Sequence, residues 1–335
     1  MRAYLLTKHG KPDAAFALRE ATDPRPTAHQ VRIKVDGFGL NFADVMAVKG
    51  LYREAPPLPC VLGYEVVGHV ESVGTDAPKD LIGKRVVALT RFGGYAELAC
   101  TDHRAIAVIP EEMPLGVAAS LVTQGCTAFY MARMAWPLRE GMRVSVHSAA
   151  GGVGQLLVQL AIESGCEVFA VAGGADKCAH LTAMGAHHAI DRYAGDHAEQ
   201  VRSLLGDERL DVSFNAVAGS TFKKDMRLIG AGGAVVLYGG AERSRMGTLR
   251  FVWNMGLVLP IFLMMQSKSI IGVNMLKIGD RRPAILAHCL QEVVRLTEHG
   301  LLRPHVHGDF AHTELAEAHH QLESGSTMGK VVVHW

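Results

Sequence analysis

Short apolar and β-branched runs, punctuated by Gly and Pro, fill the first third of the chain. AYLLT, VRIKVDGFGL, GHVESVG, RVVAL and YAELAC are of strand length, and Pro56, Pro57 and Pro59 break the chain before GYEVVGHV. This pattern predicts an all-β, barrel-like region from Met1 to about Val108. Near Glu111 the text changes: PLGVAASLVTQGCTAFYMARMA has helical length and is rich in good helix formers. From Arg143 onward strands alternate with helices, RVSVHSA with GQLLVQLAIESG, EVFAVAG with DKCAHLTAMG and DVSFNAV with STFKKDMRLIG, followed by AVVLYGG and KSIIGVNM. Such alternation predicts parallel β-α-β units and a doubly wound α/β sheet.

The tail resumes differently. RRPAILAHCLQEVVRLTEHG reads as a long amphipathic helix ended by Gly300, ELAEAHHQLESG as a shorter one and KVVVHW as a closing strand. The pattern predicts a β-rich domain over 1–120, an α/β domain over 121–275 and a return of 276–335 to the first.

Between the strand RVSVHSA and its helix lies AAGGVG, which fits A-x-G-x-x-G from Ala149 through Gly151 and Gly152, then Val153, to Gly154. At the middle glycine a side chain would block a pyrophosphate; at the last it would hold helix and strand apart. The N–H groups that open the helix, helped by its dipole, then meet the phosphates. The strand-loop-helix context makes this a dinucleotide site rather than a bare turn.

An NAD site usually ends its second strand with Asp or Glu, for the ribose 2′-hydroxyl. Here that strand ends in AVAGGADK, with Ala172 and Gly173 in the acid's place, and Lys177 and Arg192 follow. Two cations without the acid suit a 2′-phosphate and favour NADP(H).

Composition narrows the class. The 335 residues suffice for two cores, and 49% hydrophobic with 20% charged residues is ordinary for a globular protein. A formal net charge of +1 gives no whole-protein field to attract nucleic acid or an anionic membrane. The six cysteines are scattered without a C-x-x-C pair, so free thiols in a reducing, cytoplasmic setting are expected. The first residues lack the pattern of a signal peptide. MGLVLPIFLMM, Met255 to Met265, is too short for a membrane span and contains Pro260, which leaves a buried or interface segment.

The chain resembles the zinc-free quinone oxidoreductase branch of the medium-chain dehydrogenase/reductases. NFADVMAVKGLY, LPCVLGYEVVGHVESVG, GGYAEL, QGCTAFY, AAGGVGQLLVQLA, VLYGG and MGKVVV carry the resemblance in that order, and WNMGLVLPIFLMMQSKSIIGVNM is similar to its vesicle amine transport protein-like members. The resemblance implies a GroES-like catalytic domain, a Rossmann domain, an active site in the cleft between them and a homodimer through the edge strand around Ser269–Met275. It also implies nicotinamide-ribose contacts from Thr127 and from the backbone at Gly239 and Gly240. Asn215, at the carboxyl end of DVSFN, is expected to face the adenosine or ribose.

Zinc-dependent members of the superfamily take their catalytic ligands from positions that carry Asn41, Tyr64 and Thr123 here. None is a good zinc ligand, so no metal is expected. The 17 histidines are expected at the surface or as caps. Without a Lewis acid to stabilise an alkoxide, reduction of a quinone or α,β-unsaturated carbonyl is easier than alcohol oxidation. Asn41, Tyr52 and Tyr64 are the candidate donors to the developing oxyanion, Asp44 is expected to orient its helix start, and Glu65 to make a structural hydrogen bond. The leading expectation is an NADPH-dependent quinone or enone reductase. The alternatives are an enoyl or alkenal reductase, and a cofactor-binding protein with a structural or interaction role.

Overall fold

The structure is a computed structural model that describes residues 1–241 and 247–335. It contains two compact units, Met1–Cys126 with Met275–Trp335, and Thr127–Asn274.

The first unit is built on antiparallel strands. These are β1 (Arg2–Leu6), β2 (Phe16–Glu20), β3 (Gln30–Leu40), β4 (Cys60–Val61), β5 (Glu65–Val73), β6 (Arg85–Leu89), β7 (Leu98–Asp102) and β8 (Ile106–Val108). β3 is the hub: it pairs with β5 along one edge and with β7 in another register. Its apolar positions Val31, Ile33 and Val35 face inward at a spacing of two, as a strand with one buried face requires. Phe38 from β3 stacks on Tyr95, 4.5 Å between ring centroids, at the centre of this core.

The second unit is a parallel sheet in the order β11-β10-β9-β12-β13-β14. Its strands are β9 (Arg143–His147), β10 (Glu167–Ala172), β11 (His188–Asp191), β12 (Leu210–Asn215), β13 (Ile229–Leu237) and β14 (Ser269–Gly272). The order reverses between β9 and β12, the switch point at which open α/β sheets bind ligands. β9 and β12 are buried nearly throughout, because strands covered on both faces read as continuous apolar runs.

The tail supplies β15 (Val306–Ala311) and β16 (Lys330–His334), and β16 pairs antiparallel with β3, setting Val333 opposite Phe38. The unit boundary falls at Cys126 rather than at residue 120. The turn Leu121–Gly125 is bound to the first unit through its backbone, the Thr123 N–H donating to Glu65 at 2.7 Å.

Of the two alternatives for the apolar segment Met255–Met265, buried or interface, exposure removes the first: Leu257 and Met265 are 86% and 72% exposed. It forms two short helices, Thr248–Met255 and Pro260–Gln266, parted at Gly256. The strand after it ends at Gly272, and Met275 opens a helix instead of closing the strand.

Candidate active site

β9 delivers the chain into the glycine loop at the switch point. Ser148 takes a left-handed conformation, φ 52°, unusual for a residue with a side chain and the kind of strain found at ligand clamps. The Ala149 N–H donates to the Val171 carbonyl at 3.0 Å and fixes the loop to β10. Gly151 caps the helix Gly152–Glu163, and the Gln155 N–H closes its first turn on Gly151. The N–H groups of Gly152, Val153 and Gly154 are therefore donors that helix geometry leaves over. A Cβ on Gly154 would stand 2.3 Å from the Ser148 carbonyl oxygen, so this helix can approach its strand only with glycine there.

At the end of β10 the missing acid has a structural counterpart. A Cβ on Gly173 would lie 2.8 Å from the Tyr193 ring and 2.9 Å from Arg192 Nε. The bare position lets Arg192 and Tyr193 lie across the strand end, the guanidinium 4.8 Å from the ring centroid. Burial and the charge of Arg192 both push the Lys177 ammonium below its ordinary value. Two cations thus share one locality. Asp191, the residue before Arg192, is committed to backbone: its Oδ1 accepts from Gly174 and Tyr193 at 2.9 and 2.8 Å.

Asn215 departs from expectation. Its side chain is fully buried, Nδ2 donating to Thr221 and Asp225 and Oδ1 accepting from the N–H groups of Val217 and Ala218. It therefore braces the loop after β12 rather than facing a nucleotide. Gly239 and Gly240 follow β13, where the Tyr238 N–H donates to Asn215 and that of Ala241 to Ala216. Thr127 is buried at the start of the second unit.

In the first unit Asn41 is also more occupied than expected. Its Nδ2 donates to Glu65 Oε1 at 2.9 Å and its Oδ1 accepts from Lys330 Nζ at 3.1 Å. Lys330 and Glu65 are fully buried and paired. The sequence reading missed Lys330, although a lysine opening the closing strand KVVVHW was a visible signal. Asp44 accepts the Asn41 N–H at 2.9 Å and opens the helix Phe42–Val48. Burial, reinforced by Glu65, pushes its carboxyl up to about 7.

Tyr64 is buried, and among the described residues its hydroxyl has no hydrogen bond of normal geometry, only a looser polar contact with the Tyr52 hydroxyl. Burial first, and then the charge of Asp44, push that phenol far above its ordinary value. It stays a proton-bearing donor. Tyr52 meets it edge-on at 6.0 Å and Phe92 packs at 5.1 Å, forming an aromatic group around that hydroxyl. Tyr52 is itself part-buried, which raises its phenol too.

The histidines also depart from expectation, since His147, His197 and His319 are buried. The first two meet Asp225, another group that sequence reading missed. All six thiols are free.

Comparison with known proteins agrees with this architecture. The alcohol dehydrogenase GroES-like domain family matches residues 27–131 and the zinc-binding dehydrogenase family matches residues 184–333. The human synaptic vesicle membrane protein VAT-1 homolog is 30% identical over 342 residues, covering 99% of this chain and 86% of that protein. Rat quinone oxidoreductase is 29% identical over 339 residues, covering 99% of this chain and 97% of the relative. The quinone oxidoreductase of Thermus thermophilus, solved also with NADPH, superposes with a TM-score of 0.82 at 28% identity and full coverage of both chains. The chain belongs to the quinone oxidoreductase-like branch of the medium-chain dehydrogenase/reductases.

Proposed function

We propose that this protein binds NADPH and reduces a quinone or related α,β-unsaturated carbonyl, without a metal at the reacting centre. The observation that carries the reading is the pairing of a bare helix start at Gly152–Gly154 with two neighbouring cations, Lys177 and Arg192, beside Gly173. The helix start suits the pyrophosphate and the cations suit the 2′-phosphate. The quinone oxidoreductase relatives, one of them solved with NADPH, support the same cofactor and substrate class.

The cofactor supplies the hydride. The chain must hold a donor where charge develops on the acceptor oxygen and keep water away. Tyr64 suits the donor role, because its hydroxyl is buried, protonated and without a hydrogen bond of normal geometry among the described residues. Tyr52 is a second donor in the same aromatic group. Asn41 holds Glu65 and Lys330 and serves as a positioning residue. A phenol, an amide and a hydroxyl at Tyr64, Asn41 and Thr123 form a poor zinc set, which supports hydride transfer unaided by an ion.

The exposed apolar helices Thr248–Met255 and Pro260–Gln266 adjoin β14, which among the described residues pairs with β13 only. An open edge beside apolar surface supports a homodimer. Sedimentation as a monomer at micromolar concentration would remove that part of the proposal. Free thiols are compatible with the cytoplasm.

The test is NADPH oxidation followed optically with a panel of quinones and enones. Turnover with quinones supports the proposal, and turnover with enones alone makes the protein an enoyl or alkenal reductase. Tight NADPH binding with no turnover assigns it a non-enzymatic role.

A further inference from the structure

Three side chains of metal-ligand type meet in the second unit, outside every group assigned above to cofactor or acceptor. His147 is the last residue of β9, His197 opens the helix His197–Leu205, and Asp225 lies in the helix Phe222–Leu228. All three are buried. His147 Nε2 lies 3.0 Å from the Asp225 carboxylate and His197 Nε2 lies 3.3 Å from it. The three donor atoms fall within 4.8 Å of one another, and the two imidazoles cross at 79°.

Charge, orientation and donor chemistry agree. Asp225 is a buried carboxylate whose ion-pair partners, among the described residues, are the two histidines and no lysine or arginine. A buried charge needs a compensating one, and a cation held between carboxylate and imidazoles provides it. Ser213 Oγ and Asn215 Nδ2 donate to Asp225 Oδ2 at 2.8 and 2.6 Å, and both His Nε2 atoms lie within hydrogen-bond reach of Oδ1. Carboxylates that ligate metals are themselves held by an outer layer of hydrogen bonds of this kind. Two imidazoles and one carboxylate suit zinc, whose bonds to such donors are about 2.0–2.1 Å, so that its tetrahedral edges of about 3.4 Å are near the two histidine-to-carboxylate distances. Magnesium and calcium prefer oxygen throughout and do not fit.

We propose that His147, His197 and Asp225 form a structural site for a zinc-class divalent cation, with a fourth position open to water. The site joins the end of β9, which feeds the glycine loop, to two helices that follow β11 and β12. It is separate in sequence and chemistry from Asn41, Tyr64 and Thr123, and it takes no part in hydride transfer.

The test uses the purified full chain, stripped with a chelator and titrated with Co²⁺ and then Zn²⁺. The proposal expects a single saturable Co²⁺ site with the intense visible bands of tetrahedral coordination, displacement by Zn²⁺ and a higher Tm with zinc. His197→Gln should weaken binding by roughly tenfold or more. Asp225→Asn should do the same, but it disturbs the bonds to Ser213 and Asn215, so His197→Gln is the decisive variant, its fold checked by circular dichroism. The double variant His187→Gln/His188→Gln, outside the site, should bind as the parent does. Absence of a saturable site, or binding that survives His197→Gln, would overturn the proposal. Neither outcome bears on NADPH oxidation, which should be unchanged by added zinc.

Discussion

Lys330 and Glu65, 265 positions apart, form an ion pair with both side chains fully removed from solvent. Glu65 uses its second oxygen on the Thr123 N–H, and Lys330 reaches Asn41 as well. The pair ties β16 to the start of β5, to the residue before the helix Phe42–Val48 and to the turn Leu121–Gly125. The closing strand is locked to the first unit by charge as well as by its ladder with β3.

Removing one partner leaves a buried charge uncompensated. Lys330→Met should cost about 3–5 kcal/mol of folding free energy. The double variant Lys330→Met/Glu65→Gln should recover a substantial part of that loss in a urea denaturation cycle. Costs that simply add would show that the two side chains are not coupled.

Tyr64→Phe should separate stability from turnover. An unsatisfied buried hydroxyl costs about 1–3 kcal/mol, so the variant should be at least as stable as the parent. Loss of a donor to the developing oxyanion should lower kcat by roughly 10²–10³-fold. A kcat within twofold (roughly, against that expected drop) would assign the donor role elsewhere, with Tyr52 the next to test.

Lys177→Ala should discriminate between cofactors. A charge-assisted hydrogen bond is worth about 1.5–3 kcal/mol, so NADPH should bind roughly ten- to a hundredfold more weakly while NADH is unaffected. Equal losses by calorimetry would mean that Lys177 does not read the 2′-phosphate.

Asp44 should give stability a pH dependence of unusual sign. Its carboxyl is raised from 3.8 to about 7, so the folded chain holds a proton there that the unfolded chain releases. This contribution is complete below pH 3.8 and is lost as pH rises to about 7. His319 opposes it: burial lowers its imidazole from 6.5 to about 3, so stability is lost as pH falls across that interval. Asp44→Asn should leave the rising slope of His319 uncovered between pH 4 and 6.5 (about the overlap of the two windows) in urea midpoints. An unchanged pH profile would show that Asp44 does not titrate in this range.

Periodicity, glycine placement and chain order determined the β-rich start, the parallel α/β unit, the phosphate loop from Ala149 to Gly154 and the bare end of β10 at Gly173. These depend on local rules: a strand or helix shows its period over a few residues, and a missing side chain is visible in the letter itself. The tertiary structure decided what buried polar groups do. Lys330 meets Glu65 and Asn41, His147 and His197 meet Asp225, and Asn215 turns inward, because such groups must find partners that the fold brings from distant positions. It also decided that the apolar segment Leu249–Gln266 lies exposed, since an apolar run reads alike whether it fills a core or waits for a partner.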